Sequence, residues 1–150
     1  MKIAIGSDHR GYELKLRLIP FLKKEAHEVK DFGTDSTESC DYPPIAYNVA
    51  RSVSSGESER GVLICMTGFG MVMAANKVPD VRAARCDTVE EARFAREHND
   101  SNIICLSAKY VKDKPEVILK AWISTSFSGG RHQKRVDQIK EIERKLNSNI

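Results

Sequence analysis

Four short stretches of the chain combine residue types suited to proton transfer and anion binding. Asp8 and His9 follow an apolar run, where a carboxylate can hold a hydroxyl and an imidazole can meet an anion. An aspartate in that place equally serves as the cap of a following helix. The segment Cys65-Met66-Thr67-Gly68-Phe69-Gly70 runs directly into a helix-compatible stretch. Its two glycines let backbone pass close to a ligand, and the helix start offers unpaired N–H groups and a positive dipole end. The same donors favour a thiolate, which makes Cys65 a candidate base or nucleophile. His98 and Asn99 stand at the end of another helix-like segment. Histidine suits proton transfer near neutral pH, though one at a helix C-terminus is also a favourable dipole partner. Finally, Arg131 and Arg135 are four apart at the opening of the last helix. They share a face and oppose the dipole there, so a bound dianion explains them better than stability does; the alternative is a solvated basic face.

Known phosphate loops fit the glycine turn poorly. The dinucleotide fingerprint needs a third glycine where Met73 stands, and no Gly-Lys-Ser/Thr ending follows. A nucleotide-binding module using this turn and Asp87 is the reading from a different class.

These residues must be held at the ends of regular elements. Apolar runs suggest strands over Lys2–Gly6, Glu28–Phe32, Gly61–Cys65, Val81–Cys86 and Asn102–Ser107. Helical periodicity covers Tyr12–Glu25, where Pro20 suggests a kink or break, then Pro44–Val53, Gly70–Asn76, Thr88–Glu97, Pro115–Phe127 and Gln133–Leu146. Thr88 and Glu91 spell a capping box. Strands alternating with helices imply repeated βαβ units, hence a parallel sheet covered on both faces in one α/β domain over 1–150, with the helix at 133–147 part of it. Ligands then bind outside the carboxyl ends of the strands.

Composition sets the remaining bounds. At 150 residues the chain is long enough for one proper core, and 41% apolar with 30% charged residues is not a disordered composition. No apolar run approaches the roughly 18 residues of a membrane span, and the N-terminus lacks a signal-peptide pattern, which favours the cytoplasm. Cysteines at 40, 65, 86 and 105 have no metal or redox spacing; Cys86 and Cys105 read as reduced core thiols. The net charge is +3, and the stretch from Arg131 to the C-terminus, with six cations and three anions, carries all of it. An excess that small is a weak case for a nucleic-acid arm and a fair one for a local anion site.

Taken in order, the motifs resemble the family of type B ribose-5-phosphate isomerases, which also contains the galactose-6-phosphate isomerase subunits. The resemblance rests on Gly6-Ser7-Asp8-His9, Asp41-Tyr42-Pro43, the run Gly61 to Cys65, Thr67-Gly68-Phe69-Gly70-Met71, the stretches Ala74 to Pro79 and Val81 to Ala84, His98-Asn99-Asp100 and Gly129-Gly130-Arg131-His132. It implies a Rossmann-like α/β/α sandwich and a homodimer or tetramer with sites at the subunit interface. It also implies no metal or cofactor, while the small charge excess and the short apolar runs argue against a nucleic-acid or membrane partner. The implied reaction interconverts ribose 5-phosphate and ribulose 5-phosphate through an enediolate; a hexose 6-phosphate such as allose or galactose 6-phosphate is the alternative substrate. By that resemblance Cys65 shuttles the proton, His98 assists ring opening and Asp8 holds the sugar. Thr67 and the backbone from Met66 to Gly70 stabilise the enediolate, while His9, Arg131 and Arg135 take the phosphate. Tyr42 and Asn99 line the pocket, with His98 and Asn99 supplied by the neighbouring chain. A branch of the family places a glutamate base at the position of Phe69, which cannot abstract a proton.

Three departures from the family pattern bear on anion binding. Met66 stands where a glycine is usual, and a positive φ there would cost about 1 kcal/mol. Lys109 replaces an arginine that reaches the phosphate from the partner subunit, keeping charge but losing the bidentate fork. Ser107-Ala108 replaces a glycine-containing turn beside it.

Overall fold

A computed structural model describes residues 1–148 of the chain. Its elements run β1 (Lys2–Ser7), α1 (Tyr12–Lys24), β2 (Glu28–Asp31), α2 (Tyr42–Ser54), β3 (Arg60–Cys65) and α3 (Phe69–Ala75). They continue with β4 (Ala83–Arg85), α4 (Val89–Glu97), β5 (Ile103–Ser107), α5 (Pro115–Ser124) and α6 (Arg131–Asn147). The five strands pair in the order β2-β1-β3-β5-β4, all parallel.

That order sorts the helices into two layers. Right-handed crossovers put a helix on one face when the chain steps outward and on the other when it steps back. Accordingly α1, α4 and α5 cover one face, where Leu18, Leu22, Ala92, Ile118, Leu119 and Trp122 pack on Ile3, Ile5, Val62, Ile64, Ile104 and Leu106. On the other face α2 and α3 bring Ala46, Val49, Ala50, Met71 and Ala75 onto Ala4, Leu63, Cys65, Ile103 and Cys105. The two sets alternate along every central strand, as the period of two demands. The result is the expected Rossmann-like three-layer sandwich. Among the described residues no helix is long and apolar enough to cross a membrane.

Several boundaries differ from the sequence expectation. Pro20 does not break α1. Both Pro20 and Leu16, whose carbonyl lies one turn back, are on the solvent side, so water can take the bond that proline cannot make. Strand β4 is shorter than Val81–Cys86, because side chains claim its leading amides. The Arg82 N–H donates to Asn102 Oδ1 and the Ala83 N–H to Asn76 Oδ1. Helix α2 starts two residues early, at Tyr42, with Pro43 and Pro44 in a first turn that tolerates them. Strand β2 stops at Asp31, helix α5 at Ser124, and α6 already begins at Arg131.

Direction matters more for function than these margins. Helix α4 descends from the carboxyl end of β4 to the amino end of β5, so its two ends lie at opposite edges of the sheet.

Candidate functional site

At the carboxyl edge, the ends of β1, β3, β4 and β5 meet the start of α2. The Asp8 N–H donates to the Ile64 carbonyl, tying the β1 loop to β3. Its Oδ1 accepts from the Arg10 and Gly11 N–H groups at 2.9 and 3.0 Å. That turn precedes α1 without capping it, since Gly11 is the N-cap residue. His9 Nδ1 accepts the Cys40 N–H at 3.2 Å, which leaves the ring proton on Nε2 as a donor to an anion. The loop bearing Cys40 is held from beneath by Lys15, whose fully buried ammonium bonds both Asp31 oxygens and the Thr34 carbonyl at 2.6–2.8 Å.

The glycine turn after β3 is built around sulfur. Cys65 is only 5% exposed, and its Sγ accepts the Gly68 N–H at 3.1 Å. Gly68 has φ +80° and is the N-cap residue of α3, a conformation that favours glycine. Thr67 Oγ1 accepts the Phe69 N–H at 3.3 Å. Gly70 is required by Tyr42: a β-carbon at 70 would lie 2.4 Å from Tyr42 Cζ. The phenol ring therefore closes directly over the start of α3.

The three departures now have structural answers. Met66 is not among the described residues with positive φ, so the anticipated strain does not arise. Its carbonyl instead receives the Ser107 hydroxyl at 2.7 Å and the Lys109 N–H at 3.2 Å, while Sδ accepts Arg10 Nη1 at 3.8 Å. Ser107 Oγ also accepts the Lys109 and Tyr110 N–H groups, so the serine ties the end of β5 to the turn. Lys109 thus has its backbone beside the turn of its own chain, with its ammonium over Tyr110.

The second group of expected residues lies elsewhere. His98 ends α4, at the amino edge of the sheet, and its ring is stacked between Phe94 and His132 at centroid distances of 4.9 and 4.3 Å. The Ser128 N–H donates to the Glu97 carbonyl, which brings the start of α6, with Arg131 and Arg135, to the same edge. Burial lowers the His132 pKa, and the positive charges of His98, Arg131 and Arg135 add to the effect. Both arginines are exposed. Asp100, in the left-handed region at φ +48°, fixes the turn after His98 and Asn99. Its oxygens accept Arg96 Nη1 at 2.8 Å and Arg82 Nη2 at 3.0 Å. Behind it the buried Trp122 indole donates to Ser101 Oγ at 2.8 Å. One chain therefore assembles Asp8, His9, Tyr42 and the segment Cys65 to Gly70, and separately His98, Asn99, Arg131 and Arg135, while the Lys109 ammonium points to Tyr110.

Burial treats the other thiols as the sequence suggested. It pushes Cys86 up to about 12 and Cys105 well above its ordinary value. Among the described residues no cluster of three or more His, Cys, Asp or Glu side chains could hold a metal ion. Sequence reasoning missed Arg85, which extends from the end of β4 to Gly68 and Phe69. The rule that ligands gather at strand ends would have pointed to it.

Comparison with known proteins gives a consistent picture. The ribose/galactose isomerase family model matches residues 3–139. The chain is 42% identical over 147 residues to ribose-5-phosphate isomerase B of Escherichia coli, covering 97% of this chain and 99% of that one. It is 44% identical over 146 residues to the Listeria innocua ribose-5-P isomerase B, with the same coverage. Among solved structures, ribose-5-phosphate isomerase B of Clostridium thermocellum superposes with a TM-score of 0.95 at 52% identity, covering 97% of this chain and 99% of that one. The Mycoplasma genitalium enzyme with bound ribulose-5-phosphate superposes with a TM-score of 0.91 at 39% identity, covering 95% and 96%.

Proposed function

The chain belongs to the ribose/galactose isomerase family, and on that basis we propose that it is an aldose–ketose isomerase interconverting D-ribose 5-phosphate and D-ribulose 5-phosphate. The single observation that carries the chemistry is Cys65 Sγ facing the Gly68 N–H at the head of the glycine turn.

In the open-chain aldose, the Cys65 thiolate removes the proton on C2 and the electron pair moves to O1, giving a cis-enediolate. The turn N–H groups and the Thr67 hydroxyl stabilise that charge. The proton returns to C1 while the O2 proton passes to O1, and the ketose results. His98 assists ring opening by moving a proton between the ring oxygen and the anomeric hydroxyl, and Asp8 and Asn99 orient the sugar. His9 Nε2, Lys109, Arg131 and Arg135 hold the phosphate as charged or polarised donors.

The two halves of this machinery sit at opposite edges of one sheet, so the reading requires a second copy of the chain to complete each site. Exposed apolar side chains supply surface for that contact: Phe69 and Met73 on α3, and Ile139, Ile142 and Leu146 along one side of α6. The test is an NMR time course of ribose 5-phosphate in D2O. Ribulose 5-phosphate should form with exchange at C2, and Cys65→Ala should abolish both while leaving the fold intact. Near wild-type turnover in Cys65→Ala would refute the base. A higher kcat/KM on allose or galactose 6-phosphate would move the substrate to six carbons.

A further inference from the structure

We propose that Arg85 is a positioning residue for this chemistry: it clamps the Gly68–Phe69 turn so that the Gly68 N–H stays aimed at Cys65. The side chain occupies the space that any residue at 68 other than glycine would need. Its Cδ, Cγ and Nε lie 3.2, 3.3 and 3.4 Å from where a β-carbon would sit. Its guanidinium then lies over the Phe69 ring, 4.5 Å from the centroid. One side chain thus packs on both residues that open α3.

Asp87 holds the clamp from behind through an ion pair to Nη2, in a setting where the arginine side chain is 23% and the aspartate 10% exposed. The arrangement is costly. Arg85 Nε and Asp87 Oδ1 are both buried and, among the described residues, have no hydrogen-bond partner, and burial raises the Asp87 pKa. A surface ion pair would avoid these penalties. Two anchors keep Asp87 there regardless. Its N–H donates to Glu91 at 2.6 Å, and its carbonyl accepts the Lys112 and Asp113 N–H groups. The end of β4 is therefore fixed independently of the turn, and the turn is fixed through Arg85. Gly68 needs such support because its left-handed φ is reached by a residue with unusual backbone freedom, and α3 is only seven residues long.

The inference rests on the isomerase reading only for its kinetic part, so the experiment has two arms. The first is residue-resolved amide hydrogen exchange on the full chain as wild type, Arg85→Ala and Arg85→Lys. The Gly68 N–H should exchange about 10-fold faster or more in Arg85→Ala, while core amides such as Val62 and Ile104 keep their rates. Arg85→Lys, which keeps a stem against Gly68, should return Gly68 to within about threefold of wild type. The second arm measures kcat and KM on ribose 5-phosphate. A displaced donor to the Cys65 sulfur should lower kcat by about 10-fold or more and leave KM within about twofold. If wild type shows no turnover, the isomerase reading fails while the exchange arm still decides the clamp. Unchanged Gly68 exchange overturns the proposal, as does equal acceleration of every core amide or absence of rescue by lysine. Should Arg85→Ala not fold because Asp87 is left unpaired, Arg85→Ala combined with Asp87→Asn, which removes both the stem and the orphaned charge, takes its place with the same expected direction.

Discussion

Mixing two inactive variants should restore activity, by an amount the topology sets. Cys65 ends β3 at the carboxyl edge, whereas His98 ends α4 at the amino edge. Strands of five and six residues lie between those edges, a separation of roughly 15–20 Å at about 3.3 Å per residue. Direct proton transfer needs reacting groups within about 3 Å, so one chain cannot bring both residues to one sugar. Suppose that Cys65→Ala and His98→Asn proteins are unfolded together and refolded at equal concentration. Random pairing makes about half of the dimers mixed, and each mixed dimer has one site with both native residues and one with neither. The expected specific activity on cyclic ribose 5-phosphate is therefore about one quarter of wild type. Each variant refolded alone supplies the baseline, and a size-exclusion profile matching wild type confirms pairing. Activity no higher than the average of the two baselines would refute the division of the site between chains.

Three further outcomes follow from the same geometry. Asp100→Ala leaves Arg96, 4% exposed, without its carboxylate. With Asp100 itself partly solvated, the loss in urea unfolding should be about 2–3 kcal/mol, and less than 1 kcal/mol would contradict the clamp. Gly70→Ala must displace the Tyr42 ring and should raise KM for the sugar phosphate at a stability cost of about 1–3 kcal/mol; an unchanged KM would remove Tyr42 from the pocket. Because burial holds Cys86 near 12 and Cys105 well above its ordinary value, both stay protonated thiols through the neutral and mildly alkaline range. Iodoacetamide at about pH 8 should label half-buried Cys40 in the native protein and spare those two, as peptide mapping would show. Prompt labelling of Cys105 would contradict its burial.

The carboxyl-edge half of the candidate site was legible because each residue sits next to its element boundary. Apolar runs stop at Ser7 and Cys65, and glycines mark the turn that follows. The Thr88–Glu91 capping box is equally local and forms as written. Strand order is not local: nothing in an apolar run says that β5 will lie between β3 and β4. The placement of His98 away from Cys65 depends on that order and on the course of α4, so only the family resemblance suggested it. Met66 shows the opposite limit. A residue type unusual for its position suggested strain, but Met66 lies outside the left-handed region, with its carbonyl accepting the Ser107 hydroxyl and the Lys109 N–H. Arg85 stands at a strand end, where the rule for ligand sites points, but its contact with a glycine on another strand's turn, 17 positions earlier in the chain, is not local.

The indole of Trp122 has one more use. It is the chain's sole tryptophan, fully buried, and bonded to Ser101 immediately beyond the Asp100 turn. Intrinsic fluorescence excited at the red edge of the absorption band therefore reports on the segment that carries His98, with no label attached. Emission should be blue-shifted in the native state. Loosening the turn at Asp100 should move it to the red before the β-sheet signal in circular dichroism changes. The molecule carries its own optical gauge of whether the turn that carries His98 is in place.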